Sequence, residues 1–232
     1  MMPRTGISLE GVSMFASLPV EERRACERRC SWRSYQRGEE VIDCDSSSRD
    51  VFFVIEGSVR VINQSPSGRE VTLADLQAGD LFGELAAIDS EPRSASVVAT
   101  SESVVAVMAG ETLCRVISDH PAVALAMLKR LASMIRNSTA RIMELSTLGA
   151  YNRVYAELLR MAKSGVAQGG DARIKPPPTH AEIASRISTT RETVARAIGD
   201  LARQGIVCND HGTLVVTDLA RLADLVEHFQ RE

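Results

Sequence analysis

The residues with the clearest potential for chemistry lie close together in the chain, between positions 83 and 94. Gly83 has no Cβ, so the backbone there can approach a ligand closely. The carboxylate of Glu84 can accept a hydrogen bond from a sugar hydroxyl, and Arg93 offers a planar fork of donors for a phosphate oxygen. Ser94 adds a hydroxyl beside it. This set favours a ligand with one sugar and one negative charge, such as a cyclic nucleotide; an ordinary surface ion pair is the alternative.

The sequence around these residues predicts a β domain. From about Ser31 to Met108 the chain consists of short apolar runs, and glycines at positions 38, 57, 68, 79 and 83 separate them. Runs of this kind, bounded by turn-forming residues, are typical of β-strands. Many short strands at nearly regular spacing indicate an antiparallel sandwich or barrel.

A long helix is predicted from Pro121 to about Leu148, because this stretch contains no glycine and no internal proline. Its seam residues recur at alternating spacings of four and three: Ala124, Leu128, Leu131, Ile135, Ser138, Ile142 and Leu145. Such a seam favours pairing with a second copy of the helix, although packing onto its own domain is the alternative. Ser138 and the adjacent Thr139 are polar there, so a ligand beside the seam would give them hydrogen-bond partners.

The C-terminal part of the chain predicts a helix-turn-helix, with Gly149 as the domain boundary. Thr179-His-Ala-Glu182 has the pattern of a capping box at the start of a helix, and Thr189-Thr-Arg-Glu192 repeats that pattern ten residues later. Two short helices separated by three or four residues are the mark of this motif. The segments 206–208 and 214–216 predict a β-hairpin wing, and a last helix is predicted over 218–229.

One face of the second predicted helix carries residues that can recognise DNA bases. At about 100° per residue, the apolar residues share one face: Val194, Ala197, Ile198 and Leu201. Glu192 and Arg196 fall on the opposite face, and Arg191 lies on its flank. Arginine pairs with guanine and glutamate accepts from the cytosine amine, so the trio favours a major-groove site containing G·C pairs. A charged face that meets only solvent is the alternative.

Overall composition limits the class of protein. The 232 residues are 44% hydrophobic, with a net charge of −3 and no apolar run long enough to span a membrane, so we expect a soluble cytoplasmic protein. Five cysteines lack the spacing of a secreted scaffold. Cys26 and Cys30 are four residues apart, and an iron–sulfur cluster is the alternative to their being small buried side chains. Motifs of hydrolases and nucleotide triphosphatases are absent, so neither an enzyme nor a metal site is expected.

In combination, three motifs resemble the cyclic-AMP receptor protein and fumarate–nitrate regulator (CRP/FNR) family of bacterial transcription factors. They are Phe-Gly-Glu-Leu at 82–85, Pro-Arg-Ser-Ala at 92–95 and Arg-Glu-Thr-Val-Ala-Arg at 191–196, and the likeness runs from about residue 12 to 217. The resemblance implies an α+β fold: an N-terminal antiparallel, jelly-roll-like β-roll over 1–120, a dimerisation helix over 121–148 and a winged helix-turn-helix over 149–232.

The resemblance also implies site residues. By this resemblance residues 83–84 contact the ribose of a cyclic nucleotide, residues 93–94 its cyclic phosphate and residues 138–139 its purine. The full set of nucleotide-binding residues is Val61, Leu73, Gly83, Glu84, Leu85, Arg93, Ser94, Ser138 and Thr139. The DNA set comprises Thr179, Thr190, Arg191, Glu192 and Arg196, for a half-site resembling TGTGA. Met134 stands where the best-known member has a pocket arginine, so the choice between cAMP and cGMP stays open.

As a working hypothesis, the chain is a homodimeric transcription regulator that pairs through 121–148 and binds double-stranded DNA when a cyclic nucleotide acts as its allosteric ligand. The family resemblance adds RNA polymerase as a partner. A redox or gas sensor of the same fold, which would use the N-terminal cysteines in place of a nucleotide, is the alternative function.

Overall fold

The computed structural model describes residues 8–65, 68, 70–164, 166–168 and 171–230. The chain divides into two compact units, Met1–Met134 and Ile135–Glu232, and the division falls within one long helix. No helix among the described residues has the length and apolar content that a bilayer span requires.

The first unit is a β-roll with short helices at its ends. It begins with two 3-10 turns, Leu9–Gly11 and Ser13–Phe15, and helix α1 at Val20–Glu27. Its strands are β1 Cys30–Tyr35, β2 Glu40–Ile42, β3 Val51–Glu56, β4 Ser58–Gln64, β5 Glu70–Gln77, β6 Leu81–Phe82, β7 Ser96–Ala99 and β8 Ser103–Met108. Helix α2, Glu84–Asp89, follows β6, and helix α3, Gly110–Asp119, follows β8.

Two four-stranded antiparallel sheets build this unit, with strand orders β1-β8-β3-β6 and β2-β7-β4-β5. One apolar cluster contains residues of both sheets, among them Phe52, Val59 and Val97. A second cluster packs the 3-10 turns and α3 on the strands, and Phe15 and Phe53 meet there with ring centroids 5.1 Å apart. The predicted antiparallel β domain is therefore confirmed.

The long helix α4 runs from Pro121 to Thr147. At 1.5 Å per residue it is about 40 Å long. Val123 and Met127 are buried in the core of the first unit, so the first turns of the helix belong to that domain. Leu128, Ile135 and Ile142, which are seven residues apart, are exposed in the single chain.

Beyond the last turns of α4, the described residues of the second unit form helices and a small antiparallel sheet. Its elements are α5 Ala150–Ser164, β9 Val166–Gln168, β10 Asp171–Ile174, α6 His180–Arg186, α7 Arg191–Arg203, β11 Val207–Asp210, β12 Thr213–Val216 and α8 Leu219–Gln230. The sheet order is β11-β12-β10-β9. The apolar residues of α7 pack with α5 and α8 in one core, and Val194, Ala197 and Leu201 have no exposed surface. The helix-turn-helix and its wing are therefore present as predicted.

Two local predictions are wrong. The glycines at 165, 169 and 170 predict a flexible loop over 165–170, but Val166–Gln168 form strand β9, because their backbone pairs with β10 from Asp171 to Arg173. Residues 165, 169 and 170 lie outside the described residues. The second cap is Thr190 rather than Thr189, and its hydroxyl accepts from Thr193 N, so no capping box with Glu192 forms.

The turn between α6 and α7 places Ser188 at φ 51°, in the left-handed region. A residue with a side chain loses roughly 1 kcal/mol of folding free energy in this conformation, and glycine does not. Glycine also makes the unfolded chain more flexible, which cancels part of that gain in stability. Ser188→Gly is therefore expected to raise the free energy of unfolding of the second unit by about 0.5 kcal/mol. Scanning calorimetry measures it, and Ser185→Gly, inside α6, is the control that should destabilise. A lower melting temperature for Ser188→Gly would contradict the prediction.

Candidate functional site

Gly83 is the point at which the predicted ligand segment folds back on itself. It connects β6 to α2 with φ 82°, a conformation that glycine adopts without strain. A Cβ at this position would lie 2.8 Å from Arg93 Nη1 and 2.9 Å from the carbonyl oxygen of Asp50. Glycine is therefore required both for the turn and for the close approach of the arginine.

Arg93 is buried and already oriented by the backbone around it. Its Nη1 donates to the carbonyl of Gly83 at 2.9 Å, and its Nη2 donates to the carbonyl of Asp50 at 2.8 Å and to Ser48 Oγ at 3.3 Å. The guanidinium also lies 5.9 Å from the centroid of the Phe52 ring. Burial lowers the pKa of Arg93, while the charge of Asp50 opposes that shift. The side chain is thus held by neutral carbonyls and a hydroxyl rather than by a carboxylate.

One donor of this guanidinium has no acceptor. Arg93 Nε is buried, and no partner for it lies among the described residues. A buried N–H without a partner costs about 1–3 kcal/mol, so an acceptor that reaches this atom would recover that energy. An anionic oxygen is the strongest acceptor available to a guanidinium.

Glu84 is buried at the first position of α2, and its partner is an arginine that sequence reasoning missed. Arg130 Nε, on α4, lies 3.2 Å from Glu84 Oε1, and Arg130 Nη2 donates to the carbonyl of Leu81. Arg130 stands four residues before Met134, one helical turn earlier on nearly the same face. Met134 occupies the position at which the family resemblance places an arginine. An arginine one helical turn before that position is the sequence signal that could have identified Arg130.

The predicted apolar walls lie on adjacent strands, where the pairing of β4 and β5 is irregular. Val61 faces Ala74 and Ile62 faces Thr72, so Leu73 is the extra residue of a β-bulge. Val61 packs partly on the core, whereas about half of Leu73 is exposed.

The other predicted ligand residues lie in both units of the chain. Leu85 is half-buried in α2, and Ser94 is exposed, with its carbonyl accepting from Asn63 Nδ2 at 3.3 Å. Ser138 and Thr139 are exposed on α4, in the second unit. The described hydrogen bonds therefore join Gly83 to Arg93 and Glu84 to Arg130.

The predicted base-reading residues stand on the exposed side of α7. Arg191, Glu192 and Arg196 are exposed, and none of the three forms an ion pair within the described part of the chain. Thr179 caps α6 with a full capping box to Glu182, and Thr190 caps α7. The first two turns of α7 thus present two guanidinium groups and a carboxylate on an exposed surface.

The N-terminal cysteines have the environment of buried thiols. Cys26 is buried, and Cys30 Sγ donates to the Cys26 carbonyl at 3.4 Å. Burial raises the pKa of Cys30 to about 12 and raises that of Cys26 as well. Because the thiolate is the form that binds metals and reacts with oxidants, this environment disfavours the reactive form of both side chains.

Comparison with known proteins identifies both halves of the chain. A family model described as cyclic nucleotide-binding domain matches residues 32–120, and one described as Crp-like helix-turn-helix domain matches residues 152–225. The CRP-like cAMP-activated global transcriptional regulator of Mycobacterium tuberculosis is 30% identical over 190 residues, which cover 82% of this chain and 85% of that protein.

Two further proteins extend the likeness over most of the chain. The Cyclic AMP receptor protein of Thermus thermophilus is 30% identical over 217 residues, which cover 94% of this chain and 98% of that protein. A solved structure of a CooA variant from Carboxydothermus hydrogenoformans shares the fold, with a TM-score of 0.79 and 24% identity over 97% of this chain and 98% of that one.

The fold, the two matched domains and the extent of the likeness agree with one another. An antiparallel β-roll carries the cyclic nucleotide-binding domain, and the C-terminal unit carries the helix-turn-helix. The family consists of transcription regulators rather than enzymes. This chain is a transcription regulator that belongs to the CRP/FNR family.

Proposed function

We propose that this protein is a homodimeric transcription regulator whose binding to DNA depends on a 3′,5′-cyclic nucleotide, with cyclic AMP as the preferred ligand. The observation that carries the proposal is Arg93, a buried guanidinium that is held by carbonyls and whose Nε has no acceptor in the described part of the chain. One negative oxygen of a cyclic phosphate supplies that acceptor. The two relatives that are 30% identical are both named for cyclic AMP, which supports the choice of nucleotide.

The sugar binds beside the phosphate. In a 3′,5′-cyclic nucleotide the 2′-hydroxyl is the only free hydroxyl of the ribose, and Glu84 follows Gly83 directly in the chain. A carboxylate accepts a hydrogen bond from that hydroxyl. Arg130 orients the Glu84 carboxylate through the 3.2 Å ion pair. Val61, Leu73 and Leu85 provide apolar contact to the ligand, Ser94 assists Arg93 at the phosphate, and Ser138 and Thr139 contact the purine.

Two chains associate through α4. The exposed residues Leu128, Ile135 and Ile142 form an apolar stripe, and an apolar stripe of heptad spacing is buried when a second helix covers it. The nucleotide favours the arrangement that sets the two α7 helices about 34 Å apart, one turn of DNA. Nucleotide and DNA then strengthen the binding of each other by the same factor. RNA polymerase is the further partner, and the cytoplasm is the compartment.

Calorimetric titration of the full-length protein tests this function. Cyclic AMP and cyclic GMP are titrated separately, each with and without a palindromic duplex built on TGTGA half-sites. We expect cyclic AMP to bind more tightly than cyclic GMP, and to bind more tightly still when the duplex is present. Absence of binding for both nucleotides would refute the nucleotide dependence, and equal binding with and without duplex would refute the coupling.

Glu192 is expected to select the base pair that it contacts. Its own backbone N–H and the Thr190 hydroxyl lower the pKa of this carboxyl, with a smaller contribution from the charge of Arg191, so it is an ionised acceptor at neutral pH. A carboxylate accepts a hydrogen bond from the cytosine amine and cannot donate one.

Glu192→Ala should reduce discrimination at one base pair of each half-site roughly tenfold. Affinities for duplexes that carry each of the four base pairs at that position measure this discrimination. Arg203→Ala, at the far end of α7, is the control, and unchanged discrimination in Glu192→Ala would contradict the assignment.

A further inference from the structure

A row of charges of alternating sign joins three helices of the second unit. It runs from Glu144 near the end of α4, through Arg160 and Glu157 of α5, to Arg186 in the last turn of α6. These residues connect the helix that bears the dimer seam to the first helix of the helix-turn-helix.

The contacts are direct along the whole row. Arg160 Nη2 lies 2.8 Å from Oε1 and 3.0 Å from Oε2 of Glu144, so one amino group reaches both oxygens. Arg160 Nη1 donates to Glu157 Oε2. Arg186 Nη1 lies 3.5 Å from the other oxygen, Glu157 Oε1. Each internal member therefore contacts an opposite charge on both sides.

The two ionic pairs at the ends of the row differ in the exposure of their inner residues, Glu157 and Arg160, whereas the outer residues, Arg186 and Glu144, are similarly exposed. The side chain of Glu157 is 4% exposed and that of Arg186 23%, so this end is shielded from water. The side chain of Arg160 is 48% exposed, and that of Glu144 27%. Removing one partner of a buried pair leaves a charge without compensation, whereas water replaces the partner in an exposed pair at little cost. The pair at α4, whose arginine is about half exposed, is therefore the one that water can replace at the lower cost.

A third arginine keeps the buried end compensated when the exposed end opens. Arg141 lies one turn before Glu144 on α4. Burial lowers the pKa of Arg141, and the nearby carboxylate of Glu157 opposes that shift. Its Nη2 is buried without an acceptor among the described residues. Glu157 therefore retains positive charge beside it even when Arg160 turns toward solvent.

The row crosses the point where α4 ends and α5 begins. Leu148 and Gly149 separate the two helices, and the Arg153 side chain of α5 donates to the Leu148 carbonyl at 2.8 Å and to the Ile187 carbonyl at 3.1 Å. These bonds hold α5 to the ends of both α4 and α6. The pair of Glu144 and Arg160 is a partly exposed ionic contact that spans the same junction.

We propose that the Glu144–Arg160 pair is a releasable link that fixes the orientation of the helix-turn-helix on α4, with both residues acting as positioning residues for DNA binding. The consequence for regulation rests on the proposed function: a nucleotide effect that reaches α6 from α4 passes through this link. Weakening it reduces the factor by which the nucleotide raises DNA affinity.

Glu144→Gln tests the link, because the amide keeps the shape of the side chain and removes its charge. Affinity for a fluorescent palindromic duplex is measured by anisotropy with and without cyclic AMP. We expect the ratio of the two affinities to fall at least about three-fold, with the melting temperature nearly unchanged. Asp224→Asn, an exposed acid-to-amide change on α8, is the matched control and should keep the wild-type ratio. A wild-type ratio in Glu144→Gln overturns the proposed role.

Hydrogen–deuterium exchange gives a second readout that needs no nucleotide. Opening of the link should speed exchange of the amides at 145–153 several-fold in Glu144→Gln and leave them unchanged in Asp224→Asn. If wild-type protein shows no response to cyclic AMP, the proposed function fails while exchange still tests the link. Unchanged exchange in Glu144→Gln overturns the link even if the nucleotide response is confirmed.

Discussion

Arg93→Leu is expected to abolish the effect of cyclic AMP on DNA binding. The substitution removes the guanidinium of the predicted phosphate site, together with an Nε donor that has no acceptor among the described residues. Hydrogen bonds to charged groups contribute about 1.5–3 kcal/mol each, so loss of two such bonds lowers nucleotide affinity by at least about 100-fold. Binding measured by calorimetry should disappear at ordinary concentrations, and the anisotropy of a labelled duplex should no longer respond to the nucleotide.

Three comparisons separate the loss of a contact from the loss of the fold. Arg49→Leu removes an exposed arginine of the same domain that donates to the Ser90 carbonyl at 2.8 Å, and it should bind the nucleotide normally. Arg93→Lys retains the positive charge without the planar fork and should bind with intermediate affinity. A melting temperature near that of wild type shows that the β-roll is intact. Normal stimulation of DNA binding by cyclic AMP in Arg93→Leu would show that the phosphate lies elsewhere.

The parts of the site that follow from local sequence could be predicted, and Arg93 and α7 are examples. The turn at Gly83 and the apolar face of α7 depend on residues within a few positions of one another, so residue type and spacing contain the information. The structure confirms the strands, the long helix and the helix-turn-helix that these patterns predict. The assignment of ligand and base contacts stays a prediction.

Local sequence patterns do not predict contacts between residues that are far apart in the chain. Glu84 and Arg130 are 46 residues apart, and their ion pair depends on where α4 passes α2 in the folded first unit. Tertiary structure also decides which of two adjacent threonines caps α7. Thr189 is buried and its N–H donates to the Ala184 carbonyl, so Thr190 caps the helix. Strand β9 forms because β10 supplies its hydrogen-bond partners, and its own composition gives no sign of it.

The second large effect is expected at the seam of α4. Ile135 and Ile142 are 67% and 62% exposed in the single chain, although each is large and apolar. Burying such a side chain contributes about 1.5–3 kcal/mol, and a dimer buries four of them. A glutamate in that position must instead lose its hydration. The double variant Ile135→Glu, Ile142→Glu is therefore expected to be a folded monomer at micromolar concentration, as measured by sedimentation equilibrium.

Dissociation of the dimer also predicts the effect on DNA. A monomer places one α7 helix in one half-site, so affinity for the palindrome should fall at least about 100-fold, while a single half-site is bound as by wild type. Ala140→Glu adds the same charge about 140° around the helix from Ile135, at an exposed position, and should remain dimeric. The melting temperature of the β-roll should change little, because both isoleucines lie outside its core. A double variant that stays dimeric would locate the interface on another surface, and the seam residues would then require a different partner.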